Sequence, residues 1–196
     1  CKTIKEDINI SHIPVILLTA RDDRQSQISG YKNGADGYLS KPFEVEMLME
    51  LIRNRLKNRE YTKKRYLNAG LIPTPEESTI SLTDETFLIK LNSIIQENIE
   101  NSNLGIQFIC QEVGLGRSSL YNKLKALTGM GANEYISKLR IEKAITLISG
   151  TDMPFSEIAE KTGFTTPSYF STAFKQYTGE TPSQYKERKK KGLADK

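Results

Sequence analysis

Asn122 carries an amide that donates and accepts in one plane, the pattern that pairs bidentately with the major-groove edge of adenine. Near it stand Arg117, Ser118, Tyr121, Lys123 and Lys125, and about fifty residues further on stand Ser168, Ser171, Thr172 and Lys175. Short hydroxyls and amides interspersed with cations suit hydrogen bonding to base edges and attraction to phosphates. They do not form a bond-breaking set. His12, the only histidine, precedes Ile13-Pro14 with no Ser or Cys nucleophile arranged beside it by any motif, and reads as an exposed loop residue. Cys1 and Cys110 make no disulfide framework or metal spacing. No complete metal, nucleophile or phosphate-cradling set is present, so the expectation is a chain that is not an enzyme and holds no cofactor of its own.

The elements that must position these residues occur twice. Ile109-Cys110-Gln111-Glu112-Val113-Gly114-Leu115 is answered by Ile158-Ala159-Glu160-Lys161-Thr162-Gly163-Phe164, each a short helix ended by glycine. Leu120, Leu124, Lys125, Thr128, Gly129 and Tyr135 are then matched by Phe170, Phe174, Lys175, Thr178, Gly179 and Tyr185. Helix, tight turn and helix, twice over, is a double helix-turn-helix, with units at 104–130 and 154–179. Leu120, Leu124 and Leu127 fall on one inward face, and Tyr169, Phe170, Ala173, Phe174 and Tyr177 are expected to pack inward in the second copy. Thr166 before Pro167 is a helix start, with Gly116 as the weaker cap in the first copy. Tyr135, Ile136, Leu139, Ala144, Leu147 and Ile148 trace one helix stopping at Gly150 that joins the two units. Cys110, aligned with Ala159, reads as a small core residue, and Arg140 as an anchor to a helix end or carboxylate. Tyr121 reads equally as a stacked core edge or a base contact. Phe87, Leu88, Leu91, Ile94, Ile95 and Ile99 mark a preceding helix, most simply a core face, with a partner-binding groove helix as the other reading.

The amino-terminal part has a different pattern. Pro14-Val15-Ile16-Leu17-Leu18-Thr19-Ala20 is a continuous apolar run of the kind found in a strand buried on both faces. A polar helical stretch follows, then Gly34-Ala35-Asp36-Gly37-Tyr38-Leu39-Ser40-Lys41-Pro42-Phe43 as a second strand ending in a loop. Met47, Leu48, Leu51, Ile52 and Leu56 mark an amphipathic helix that extends from Glu44 toward Tyr66. Strand, helix, strand, helix is half of a doubly wound sheet. Residues 47–52 are expected to pack on that sheet, leaving dimerisation to the charged extension.

Gly163-Phe164, Ser168-Tyr169-Phe170, Phe174-Lys175, Gly179, Thr181-Pro182 and Tyr185 together resemble the DNA-binding domain of the AraC/XylS regulators, over about 83–188. The resemblance implies two recognition helices in successive major-groove segments. It also implies base-facing places at Ser118, Tyr121 and Asn122, and at Pro167, Ser168, Ser171 and Thr172. Arg117, Lys123, Lys125 and Lys175 are read as phosphate contacts. The first unit departs from the pattern with Met130-Gly131-Ala132 opposite Glu180-Thr181-Pro182, and with Gly116 where serine is usual. Leu18-Thr19-Ala20 and the run from Gly34 to Phe43 resemble the carboxyl-terminal part of a two-component receiver domain. That resemblance assigns Thr19 and Lys41 to phosphoryl oxygens, Tyr38 to the aromatic switch position, and a cis bond to Lys41-Pro42. The receiver's acceptor aspartate and acidic metal pair belong to strands earlier than residue 14, and Asp7, in a polar run, is a poor acceptor. Mg is therefore expected only with a complete receiver.

The expected fold is mostly α, an AraC-type double helix-turn-helix preceded by a partial α/β, flavodoxin-like receiver segment. Residues 1–57 are assigned to the receiver part, 58–82 to a helical extension and linker, 83–188 to the DNA-binding domain and 189–196 to a basic tail. Beginning at Cys1 part-way into a domain, the chain reads as a fragment of a longer protein similar to hybrid sensors, in which a membrane-anchored histidine kinase, a receiver and an AraC-type domain share one polypeptide. Residues 1–43 are then expected to be poorly packed or paired with another copy. The partners implied are double-stranded DNA, a second copy in the full-length context, and RNA polymerase. The expected location is cytoplasmic, because no signal peptide and no run of about 18 apolar residues occurs. Charge agrees: residues 1–67 carry net +4, 68–103 net −5 and 104–196 net +5, so the domain expected to meet phosphates is basic. Pro73, Pro75, Glu76, Glu77 and Ser78 mark a linker, and Lys186-Glu187-Arg188-Lys189-Lys190-Lys191 reads as a solvated tail. A phosphorylation-gated interaction module with secondary DNA binding is the competing reading.

Overall fold

The computed structural model describes residues 1–20, 24–69 and 81–194. In order they form α1 (Lys2–Glu6), β1 (Ile16–Thr19), α2 (Arg24–Lys32), β2 (Gly37–Ser40), α3 (Val45–Ala69) and α4 (Leu82–Glu97). Then follow α5 (Ile106–Val113), α6 (Arg117–Thr128), α7 (Ala132–Gly150), α8 (Phe155–Lys161), α9 (Pro167–Thr178) and α10 (Pro182–Ala194). The fold is mostly helical, with one small parallel sheet among the described residues. The linker prolines Pro73 and Pro75, with Glu76, Glu77 and Ser78, lie outside the described residues. No described helix is long and apolar enough to cross a membrane. The chain divides into two compact units, Cys1–Lys90 with Leu115–Met130, and Leu91–Gly114 with Gly131–Lys196.

In the first unit β1 and β2 pair in parallel, Ile16 opposite Gly37 through Thr19 opposite Ser40, with α2 as the crossover that parallel pairing requires. The strand expected to be buried on both faces is not: Leu18 is 41% exposed. Among the described residues β1 has one neighbouring strand, and the apolar run is only partly covered. The short α1, five residues of polar composition, was not foreseen in the sequence. Its Lys5 ammonium pairs with Asp36 at 2.7 Å and donates to the Ile13 carbonyl at 2.9 Å. Asp36 in turn accepts from the Val15 N–H at 2.7 Å, so one ion pair fixes the starts of both strands. The Lys41–Pro42 bond is cis. His12 is half-buried rather than exposed; burial, then the nearby Lys123 ammonium, pushes its imidazole below the ordinary range. Within this unit α3 packs along α6, and Leu120, Leu124 and Leu127 of α6 are buried, as their spacing predicts.

The second unit is built on a cluster of Ile141, Ala144, Ile148, Ile158, Ala159, Phe164, Phe170, Phe174 and Tyr185. Rings meet edge-on or tilted through Phe164, Phe170, Phe174 and Tyr185 at centroid separations of 5.4, 5.7 and 5.5 Å, the arrangement aromatic quadrupoles favour. Cys110 is buried as a small core residue. Tyr135 donates its hydroxyl to Asn92 at 2.8 Å, and burial pushes its pKa up to about 12. Arg140 donates to the Asn101 carbonyl at 2.7 Å beyond the end of α4, the anchoring role its place among apolar residues implied. The basic run from Glu187 to Lys191 is exposed, as a solvated stretch should be, and it continues α10. Thr181 and Gln184 cap that helix reciprocally, and Arg188 reaches Glu180 through two nitrogens at 2.9 and 2.7 Å.

Gly163, at φ 71°, is the tightest point of the second helix-turn-helix: a β-carbon there would lie 2.1 Å from the Ile99 carbonyl oxygen. Gly163→Ala should therefore destabilise this unit by at least about 2 kcal/mol in chemical denaturation. An unchanged midpoint would show that the turn is not as close-packed as described.

Candidate nucleic-acid interface

Each short helix bearing the candidate residues is framed by the backbone signals its sequence carries. Gly114, Gly129, Gly163 and Gly179 all adopt positive φ, at 79°, 78°, 71° and 86°. Such a conformation ends a helix and lets the next one leave in a new direction without the β-carbon penalty of other residues. Thr166 caps α9 by accepting from the Tyr169 N–H at 3.1 Å, with Pro167 at the first helical position. α6 starts without a side-chain cap, as Gly116 dictates.

On α6, Arg117, Ser118, Tyr121, Asn122 and Lys125 are exposed. Tyr121, for which two readings were open, is 53% exposed and so is not a buried core edge. On α9, Pro167, Ser168, Thr172 and Lys175 are exposed and Ser171 is half-buried. The Ser171 and Thr172 hydroxyls donate back to the carbonyls of Pro167 and Ser168 at 2.9 and 3.1 Å, leaving their lone pairs free to accept. Two tyrosines expected inward are not: Tyr169 is 56% and Tyr177 43% exposed. They flank the buried stripe of Phe170 and Phe174. Tyr169 sets its ring edge against Phe164 at 5.8 Å. Tyr177 donates to Glu142 at 3.3 Å.

Lys123 does not share the exposed face of α6. Expected to hold a phosphate, it has a side chain that is 0% exposed, paired with Asp84 of α4 and donating to the Ser11 hydroxyl at 2.7 Å. Ser11 donates to the same Asp84 oxygen at 2.7 Å, and the ammonium lies 5.1 Å from the Phe87 ring centroid. Burial pushes the Lys123 ammonium below its ordinary range, and the Asp84 carboxylate offsets part of that. A cation so enclosed cannot reach a phosphate. The repeat held the warning, since Leu124 matches Phe174 and Lys123 therefore matches Ala173, a position already assigned inward.

In the receiver segment, Thr19 ends β1 and Lys41 follows β2, so the parallel register brings both to one end of the sheet. The Lys41 N–H donates to the Thr19 carbonyl at 2.7 Å. Lys41 is exposed, and Thr19 and Tyr38 are half-buried. No three described side chains of metal-binding type converge.

Comparison with known proteins agrees with this layout. Residues 109–188 match the family described as a helix-turn-helix domain, and residues 1–53 match the response regulator receiver domain. A solved structure of an AraC-type transcriptional regulator from Chromobacterium violaceum aligns over 54% of this chain and 93% of that one, at 25% identity and a TM-score of 0.50. Residues 109–188 carry an AraC-type helix-turn-helix domain and residues 1–53 a receiver segment. The chain is 42% identical over 188 residues to histidine kinase P4 of Formosa agariphila, covering 96% of itself and 14% of that protein. It is 34% identical to the HTH-type transcriptional activator RhaR of Salmonella dublin, over 52% of itself and 36% of that protein. With the transcriptional regulatory protein YesN of Bacillus subtilis it shares 33% identity over 60% of itself and 32% of that protein. It thus spans well under half the length of each of these relatives.

Lys123→Met leaves the Asp84 carboxylate buried without its counter-charge and should cost about 3–5 kcal/mol of stability. The exposed Lys125→Ala should change stability by no more than about 0.5 kcal/mol. Urea denaturation of both variants checks this, and equal midpoints would contradict the buried pair.

Proposed function

We propose that this chain is the sequence-specific DNA-reading output of a two-component phosphorelay. The observation that carries the reading is the exposed polar face on each of two helices whose opposite faces are buried. In this account Ser118, Tyr121 and Asn122 of α6, and Pro167, Ser168, Ser171 and Thr172 of α9, meet base edges in successive major-groove segments. Arg117, Lys125 and Lys175 hold phosphates and supply the salt-dependent part of the affinity. Thr19, Lys41 and Tyr38 belong to the phosphoryl and switch positions of a receiver whose remaining residues, with Mg, come from a longer parent. A parent resembling the hybrid kinases would be anchored in the inner membrane with this part in the cytoplasm, dimerise, and act on RNA polymerase at genes for glycan use.

The competing reading, an assembly module with secondary DNA binding, draws on apolar residues exposed along α3, among them Met47, Leu56 and Tyr61. Binding sites selected from random duplex DNA separate the two. Sequence reading predicts a selected site preferred over a scrambled one by about 10³-fold or more. Equal affinity for both would favour the assembly module.

On the selected site, Asn122→Ala should lose about 1–3 kcal/mol at one base position and almost nothing on scrambled DNA. Lys175→Ala should weaken both duplexes alike and lower the salt slope by about one. Equal loss on both duplexes for Asn122→Ala, or a base-specific loss for Lys175→Ala, would overturn these assignments.

A further inference from the structure

The buried ion pair on α6 is not something a helix-turn-helix requires. The second copy places Ala173 where the first has Lys123, and its α9 is seated by the fully buried Phe170 and Phe174 with Ala173 packed beside them, without a buried charge. A buried pair is weak support for stability, and its best-attested use is to fix one arrangement of the parts it joins. Here three separate stretches meet: Ser11 from the loop before β1, Asp84 from the first turn of α4, and Lys123 from the middle of α6. The Ser11 loop is itself held. Its N–H donates to the Asp7 carbonyl at 2.8 Å, and the Lys5 ammonium reaches the Ser11 and Ile13 carbonyls at 3.4 and 2.9 Å. Lys5 also pairs with Asp36 at the start of β2, and its own carbonyl accepts from Thr83 beside Asp84 at 2.9 Å. A continuous polar chain therefore runs from the strand starts of the receiver segment to the inward side of α6, whose outer face stays open.

We propose that Ser11, Asp84 and Lys123 form the joint by which the receiver segment sets α6, so that the first helix-turn-helix unit answers to the receiver while the second does not. Ser11 is then a positioning residue for base reading, acting through Lys123. The inference rests on α6 reading DNA for its consequence, but the joint itself can be tested without DNA.

Ser11→Ala removes one hydroxyl from the joint and leaves the Lys123–Asp84 pair in place, so the chain should still fold. Hydrogen exchange on the whole chain should show the amides of 117–128 exchanging about tenfold faster in this variant, as expected for losing one hydrogen bond to a buried charge. Those of 167–178 should be unchanged. On a selected duplex, base-by-base interference should weaken under α6 and stay intact under α9, a split that a general loss of stability would not produce. Unchanged exchange, or equal acceleration in both helices, would overturn the joint. If the unaltered chain shows no sequence preference, the DNA reading fails while the exchange result still decides the joint.

Discussion

A helix of twelve residues is marginal in water on its own, and both α6 and α9 have that length. Each exists only because one side is buried, which leaves the other side available for contact. On α9 the seat is aromatic, with Phe170 and Phe174 fully buried against Phe164 and Tyr185. On α6 it is aliphatic, through Leu120, Leu124 and Leu127, with the enclosed Lys123 among them. Polar residues that are short and uncommitted can then occupy the outer faces because they are not asked to stabilise anything. The positive-φ glycines at the helix ends complete the constraint, letting short helices change direction within one or two residues.

The same logic accounts for the amino-terminal part. A two-stranded parallel sheet cannot cover its own faces, and Leu18 and Ile28 stay exposed. Beside the buried Ala35 and Leu39, polar fixings order the segment: Lys5 with Asp36, Asp36 with Val15, and Thr83 with Lys5. The parallel register places Thr19 and Lys41 at one end of the sheet, while the polar contacts at the other end hold the loop that brings Ser11 to Lys123.

Much of this was legible in the residues because it depends on local spacing. The Leu120/Leu124 and Phe170/Phe174 pairs, the terminal glycines and the Thr166-Pro167 start each act within one or two turns of chain, so the repeat displayed them. Lys123 was misread because its counter-charge lies 39 positions away in sequence, and a lysine on a short polar helix otherwise belongs in water. Tyr169 and Tyr177 were placed inward by helical spacing, which does not separate the centre of a buried stripe from its edges, where Tyr169 sets its ring against Phe164 and Tyr177 donates to Glu142. Leu18 needed a second neighbouring strand that the described residues do not supply. The basic run in α10 is built of good helix formers, and Arg188 with Glu180 and Lys186 with Asp152 tie it to residues outside the helix.

The central claim is that two separate helix faces read one DNA site, and a hydroxyl-radical footprint of the chain on its selected duplex tests it most directly. The account predicts two protected segments with centres about one helical turn, or about 10 base pairs, apart. A single protected segment, or uniform shallow protection along the duplex, would contradict it.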